Sequence, residues 1–283
     1  MKRFFEITDD TRAKFRVWSS RVFILTILLF LFFVAGGGIS HKTKWRIENI
    51  NISGANVVPM EDVRSLVQEK LKGNYFYIYA RENSWLFPKS EIEKSLIQTF
   101  PRLSSAMLLR EDDNAISVKL SERKPYALWC GKEPKEVLKD CWFIDNSGFV
   151  FDKAPVFSDG VYVEIYAKLS EKITGEPVGS LIPHNRFVVS DTFAKLISES
   201  IGKPSRILLK ENSEMEIVIY ASSKHAFLSG ARLRFLDESK PEALLKKLLL
   251  AIPAQFPTNI AAPKKLLYID MRFGDKVIFG FEN

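Results

Sequence analysis

Hydrophobic positions fall into two regimes along the chain. Residues 22–39 (VFILTILLFLFFVAGGGI) carry no charged side chain. At ~1.5 Å per residue they reach roughly 27 Å, close to the ~30 Å hydrocarbon core of a bilayer. After residue 40 the pattern breaks into short periods. Residues 45–54 are rich in β-branched side chains and stop at Gly54, which predicts a strand. The apolar phase slips there from Trp45 and Ile47 to Ile50 and Ile52, which predicts a bulge near Asn49. Residues 59–71 place Val63, Leu66, Val67 and Leu71 on one helical face, with Pro59 suited to the first turn and Gly73 to the stop. A second helix starts at Ser90, which with Glu93 has the spacing of a capping box; Ile92, Leu96 and Phe100 line its face and Pro101 ends it. Strands are predicted over 105–110 and 115–121, the second with Ile116, Val118 and Leu120 alternating against Ser117, Lys119 and Ser121. Strand, helix, helix, strand, strand is the order of a small α+β domain. From Pro125 the pattern is mainly β, with strands expected over 126–130, 141–144, 149–151, 206–210, 214–220, 230–236, 266–271 and 277–281. Helices are expected around 191–201 and 241–252.

Charge gives the apolar run a direction. Net charge is +7, and residues 1–21 hold six basic side chains against three acidic ones, leaving a surplus of +4 over the rest. The basic flank precedes the apolar run, so the positive-inside rule places residues 1–21 in the cytoplasm and everything after residue 40 outside. The rival reading is a cleaved signal peptide, since the strongly apolar core 22–35 has the length of an h-region. Against cleavage stand the long charged n-region and the absence of a small-x-small site, Val34 and Ala35 leading into a glycine run. Either way the remainder is exported. The thin, dispersed positive surplus of that remainder argues against nucleic-acid binding, which needs a concentrated basic footprint.

Both cysteines, Cys130 and Cys141, lie in the exported part and bracket GKEPKEVLKD between two strand-like segments. Two thiols without a nearby histidine make a poor zinc site. In an oxidising compartment they read as a disulfide across the base of a hairpin insertion, worth roughly 3 kcal/mol in the chain-entropy model; in a reducing one they stay two thiols. Chemistry is hard to find elsewhere. The three histidines, His41, His184 and His225, sit in no nucleophile-elbow or metal-binding pattern. The Gly36–Gly38 run lies inside the apolar segment and is no phosphate loop, and Asp112 and Asp113 read as turn formers. Neither catalytic residues nor a metal or cofactor is expected, so such a chain acts through its surfaces. Residues 271–281 are apolar and interrupted by Lys276 and Gly280, as in an edge strand that accepts a partner's strand; the plainer reading is one more core strand.

Several short stretches, in order, carry a family likeness. INISGANVV (50–58) opens the first α+β unit. ERKPYALW (122–129) has the pattern Glu-x-x-Pro-x-Ala-x-Trp, IDNSGFVF (144–151) the pattern Asp-x-x-Gly, and YIDMRF (268–273) the pattern Tyr-(Val/Ile)-Asp-Leu-Arg. Behind a single N-terminal membrane segment, this series resembles the FtsQ/DivIB cell-division family and spans nearly the whole chain. The resemblance implies a cytoplasmic tail (1–21), a transmembrane helix (22–40), a POTRA domain (45–123), and a mainly antiparallel β domain with a C-terminal helix (124–283). It further implies a non-enzymatic divisome scaffold at the septum, binding FtsB/DivIC-like and FtsL-like bitopic proteins and, through them, septal peptidoglycan synthesis proteins. Partner docking is then strand addition to the last β strand, through Arg272, Phe273, Asp275, Val277, Phe279 and Phe281. Arg272 would meet an acidic side chain, and Phe279 and Phe281 would cover apolar ones. Pro125, Trp129 and Gly148 are read as fold-specifying. The cysteine-bracketed insertion is longer than the family pattern leads one to expect. The alternatives are a generic membrane-anchored POTRA export or assembly factor, for which 152–283 is too short to form a large barrel, and a cell-wall enzyme.

Overall fold

The computed structural model describes residues 9–134, 140–158, 160–170, 175–221, 226–257 and 264–282. The first eight residues of the predicted tail, the middle of the cysteine-bracketed insertion (135–139) and His225 lie outside the described residues. The protein is an α+β molecule with one N-terminal apolar helix, α1 (Asp9–Ser40), followed by two separate sheets of size. Residues 14–40 of α1 make it long and apolar enough to cross a membrane. The chain divides into two compact units, Met1–Glu122 and Arg123–Asn283.

In the first unit α1 is followed by β1 (Asn49–Ser53), α2 (Met60–Leu71), a two-residue pair β2 (Asn74–Tyr75) and β3 (Tyr79–Ala80), α3 (Lys89–Thr99), β4 (Leu103–Arg110) and β5 (Ala115–Glu122). Strand β5 is central, parallel to β1 and antiparallel to β4. The alternating residues Ile116, Val118 and Leu120 are buried beneath Val63, Val67 and Leu71 of α2 and Ile92 and Leu96 of α3. Two long-range devices set the β1–α2 connection. Gly54 has φ +88, and a Cβ there would stand 2.0 Å from the Leu120 carbonyl oxygen, so only glycine fits. Glu122 Oε1 accepts the backbone N–H groups of Asn56, Val57 and Val58 at 2.9, 2.8 and 2.8 Å.

Two expectations need correcting here. No bulge occurs at Asn49: β1 pairs with β5 in unbroken register from Asn49 to Ser53. The phase slip arises because Trp45 closes a short 3-10 turn and Arg46 bridges Asn83, so these residues never belonged to the strand. The Ser90–Glu93 capping box does not form either. The helix begins one residue earlier, with Pro88 as N-cap and no side-chain cap, and Glu93 instead accepts Leu108 N–H of β4 at 2.8 Å. A strand donor in need of a partner outcompeted the helix end.

The second unit comprises β6 (Ala127–Trp129), β7 (Trp142–Ile144), β8 (Val150–Lys153), β9 (Glu164–Ala167), α4 (His184–Ser200), β10 (Lys203–Leu209), β11 (Glu214–Ala221), β12 (Arg232–Leu236), α5 (Pro241–Gln255), β13 (Leu266–Asp270) and β14 (Ile278–Phe281). Among the described residues its nine strands form one sheet in the order β14-β13-β12-β11-β10-β9-β6-β7-β8. The sheet is mixed rather than simply antiparallel, because β6–β9, β9–β10 and β12–β13 are parallel. Parallel neighbours require crossovers, and α4 and α5 supply two of them. Helix α5 therefore lies before β13 instead of ending the domain. Both helices cover one face, where Phe187, Phe193, Ile197, Leu244, Leu248 and Ile252 meet Met215, Ile217, Leu233, Phe235 and Ile269. Strand β9 was not anticipated. Ile165, Tyr166 and Ala167 are all buried, so both faces are covered and the period-2 signal vanishes.

Cys130 and Cys141 are joined as a disulfide at the mouth of the β6–β7 connection. Beside it Trp129 donates Nε1–H to the Ala167 carbonyl at 2.9 Å and packs against Trp142 and the main core. The β7–β8 turn is built by Asp145, whose Oδ1 accepts Ser147 N–H (2.8 Å) and Phe149 N–H (3.1 Å), with Gly148 at φ +81.

Candidate partner-binding edge

An antiparallel strand points alternate backbone groups to either side, so a strand at the end of a sheet leaves half of them unpaired. The nine-stranded sheet has two ends. At β8 the outer side is bonded at its first residue: Val150 N–H donates to Ser180 O (2.9 Å), and Gly179 N–H to Val150 O (2.8 Å). At β14 no strand among the described residues pairs with the outer side. The inner side is fixed by the register Tyr268↔Gly280, Ile269↔Phe279 and Asp270↔Ile278, continued by Glu282 N–H to Lys265 O at 2.9 Å. Alternating from Glu282, Gly280 and Ile278 face β13, while the backbone groups of Phe281 and Phe279 face the open edge.

The six predicted docking residues do not lie on one strand. Only Phe279 and Phe281 belong to β14; Arg272, Phe273, Asp275 and Val277 lie in the β13–β14 connection, where Gly274 has φ +57 and Lys276 N–H turns back to Phe273 O. Arg272, expected to meet an acidic partner side chain, has acidic partners within this chain. Its guanidinium is already held by Asp270, with Nη2 to Oδ2 at 2.6 Å and Nε to Oδ1 at 2.9 Å, and by Glu214. Burial pushes the Asp270 carboxyl up, but the hydrogen bonds from Arg272 and the charges of Arg272 and Arg234 outweigh it and hold it below the usual carboxylate range. The same contact with Asp270 raises the Arg272 pKa above its ordinary value. The YIDMR stretch is thus an internal ionic clasp.

Phe279 and Phe281 are half-buried and meet Phe256 of the α5 end edge-on, with centroids at 5.7 and 6.1 Å; Phe256 in turn leans on Phe227 at 4.4 Å. Their rings are therefore occupied by the protein's own core, and what they leave open is backbone. Val277 packs beside them. Phe273 is 53 % exposed, with Arg272 over its ring, and Asp275 is fully exposed, 4.0 Å from Lys247. Sequence reading gave Phe256 and Glu214 no part in this edge and gave Tyr268 none beyond its place in the YIDMRF stretch. The Tyr268 ring lies across Gly280, where a Cβ would stand 2.2 Å from Cε1, an aromatic covering an edge glycine. Arg234 stacks on its ring with 4.3 Å to the centroid. The alternation of Glu216 and Arg234 with apolar neighbours on β11 and β12 was the available signal for this polar face.

Among the described residues no three His, Cys, Asp or Glu side chains converge as a metal site. His41 contacts Ile78 O at 2.9 Å, and His184 opens α4. Asp113 of the β4–β5 turn pairs with Arg110 and, at 3.7 Å, with Lys44. A scan of the sequence against protein-family models finds no match, and a search of curated proteins finds none either.

Proposed function

We propose that this chain is a membrane-anchored, non-enzymatic scaffold of the FtsQ/DivIB type, with the first unit a POTRA domain and the second a β domain that docks a partner's strand on β14. The observation that carries the docking reading is the open edge of β14, flanked by backbone groups of Phe279 and Phe281 with no strand opposite among the described residues. Strand addition asks for main-chain hydrogen bonds first and side-chain pockets second, and this edge offers the former. The POTRA reading is supported by the order strand, helix, helix, strand, strand in 49–122, with the small β2–β3 pair inserted between the helices. The family reading rests on the sequence stretches described above. In it α1 crosses the cell membrane with its N-terminus in the cytoplasm. The partners are FtsB/DivIC-like and FtsL-like bitopic division proteins, and the outcome is control of septal peptidoglycan synthesis.

The test is affinity purification of the detergent-solubilised full chain from its own cells, beside Phe279→Pro and Phe279→Ala. Proline deletes an outward donor at an edge that tolerates it; alanine deletes the ring and keeps the donor. Small coiled-coil bitopic proteins should accompany wild type and Phe279→Ala and be lost from a folded Phe279→Pro. Equal capture by all three would place the docking site elsewhere. Capture of barrel-assembly or secretion proteins instead would replace the division reading with that of an anchored export factor.

A further inference from the structure

The β2–β3 hairpin of the first unit is packed on the far end of α1. Tyr79 donates its hydroxyl to Phe33 O at 2.7 Å, and the Phe33 ring lies 5.0 Å from Tyr79 and 6.4 Å from Phe76. Ala80 N–H donates to Ser40 Oγ (3.0 Å), and Asn83 Nδ2 to Ser40 O (2.9 Å). The glycine run makes this approach possible: a Cβ at Gly37 would stand 1.8 Å from Ile78 Cγ2, and one at Gly36 2.9 Å from the Tyr79 hydroxyl oxygen. At its tip, the turn Tyr75–Ile78 is closed by Ile78 N–H to Tyr75 O at 3.0 Å, with Phe76 at φ 49 and Tyr77 at φ 63. Such turns favour Asn-Gly, and two aromatic residues in the left-handed region gain nothing locally. Yet Phe76 is 78 % and Tyr77 98 % exposed.

We infer that this hairpin is a membrane-interface anchor, with Phe76 and Tyr77 seated in phospholipid of the outer leaflet beside α1. The inference rests on the reading of α1 as a membrane-crossing helix. Aromatic residues concentrate at both faces of a bilayer. Trp18, exposed on α1 beside Arg16 and Arg21, suits the inner face. From Trp18 to Gly37 the helix rises ~28 Å, about one hydrocarbon thickness, so the outer face falls where the hairpin is docked. Lipid surrounding the helix at that level must meet Phe76 and Tyr77. The exposed aromatic tip then has a solvent that suits it, and strain at a functional turn has a reason.

The experiment uses the full chain in its native membranes, carrying the photocrosslinker p-benzoylphenylalanine in place of Tyr77, of Leu29 in mid-helix, or of Val57, which is exposed in the β1–α2 connection. Phospholipid-mass adducts are expected at 77 and 29 and not at 57, and Gly37→Leu should lower the yield at 77 several-fold while leaving 29 unchanged. A protein adduct in place of lipid at 77, lipid at 29 alone, or equal lipid labelling at 57 would each overturn the inference. No lipid adduct at 29 would instead remove the membrane reading itself, and the inference with it.

Discussion

Glu122 shows how much a single carboxylate organises. Its Oε1 gathers three backbone donors from the β1–α2 connection, and Arg102 stands 3.9 Å from Oε2. Burial raises its pKa, but the N–H groups of Val58, Val57 and Asn56 and the charge of Arg102 outweigh it and hold it below the usual value. Glu122→Ala leaves three donors without their acceptor and should cost about 1–3 kcal/mol, read as a lower denaturation midpoint. Asp145 and Asp270 are depressed in the same net direction, burial being outweighed by Ser147, Phe149 and Arg123 at the one and by Arg272 and Arg234 at the other. A depressed folded pKa means stability that is complete above the unfolded carboxylate value near ~4 and lost as pH falls below it. Melting temperature should therefore be flat from pH 7 to about 5 and drop steeply below about 4; no drop there would mean these contacts contribute little. None of this was legible from residue 122, whose donors lie 64–66 positions away. By contrast the turn made by Asp145 and Gly148 is local, and its spacing announced it.

At the scale of elements, alternation and helical period were readable wherever one face is wet. Strand β5 and the buried face of α2 carry the residues that the period selects. The signal failed where both faces are covered, as in β9, and where a helix begins without a side-chain cap, as α4 does at His184 behind Pro183. The place of β14 at the sheet's end was not legible either, because strand order depends on which neighbours are parallel. Gly280 is where that edge is most easily broken. Gly280→Val would drive a side chain into the Tyr268 ring. Hydrogen exchange over 278–281 should rise toward that of an unprotected segment while α4 and α5 stay protected. Unchanged exchange at 278–281 would show that Tyr268 swings clear.

For the whole molecule the proposed topology makes a simple claim. Protease added to cells stripped of their outer layers should remove epitopes placed after residue 40 and spare one at the N-terminus, and alkaline carbonate should leave the intact chain with the membrane. The reverse protection pattern would invert the orientation, and release by carbonate would discard the anchor. Function was legible only through stretches that resemble a family. The folded chain explains what several of those stretches do, a turn at Asp145 and a clasp at Arg272, and these are architectural tasks.

Among the described residues, strand β14 is ninth in chain order in its sheet, and its one paired neighbour there, β13, is attached through the α5 crossover. A segment that crosses the membrane in chain order from residue 41 delivers residues 278–281 after the other eight strands. Until they arrive, the sheet's terminus is β13 or β12, with a different register and no Phe256 clamp. Under the proposed topology, the docking edge is then assembled only after the other eight strands of its sheet have crossed. A partner selecting that edge would pass over molecules whose β14 has not yet joined the sheet, so binding would report the order in which the strands assemble.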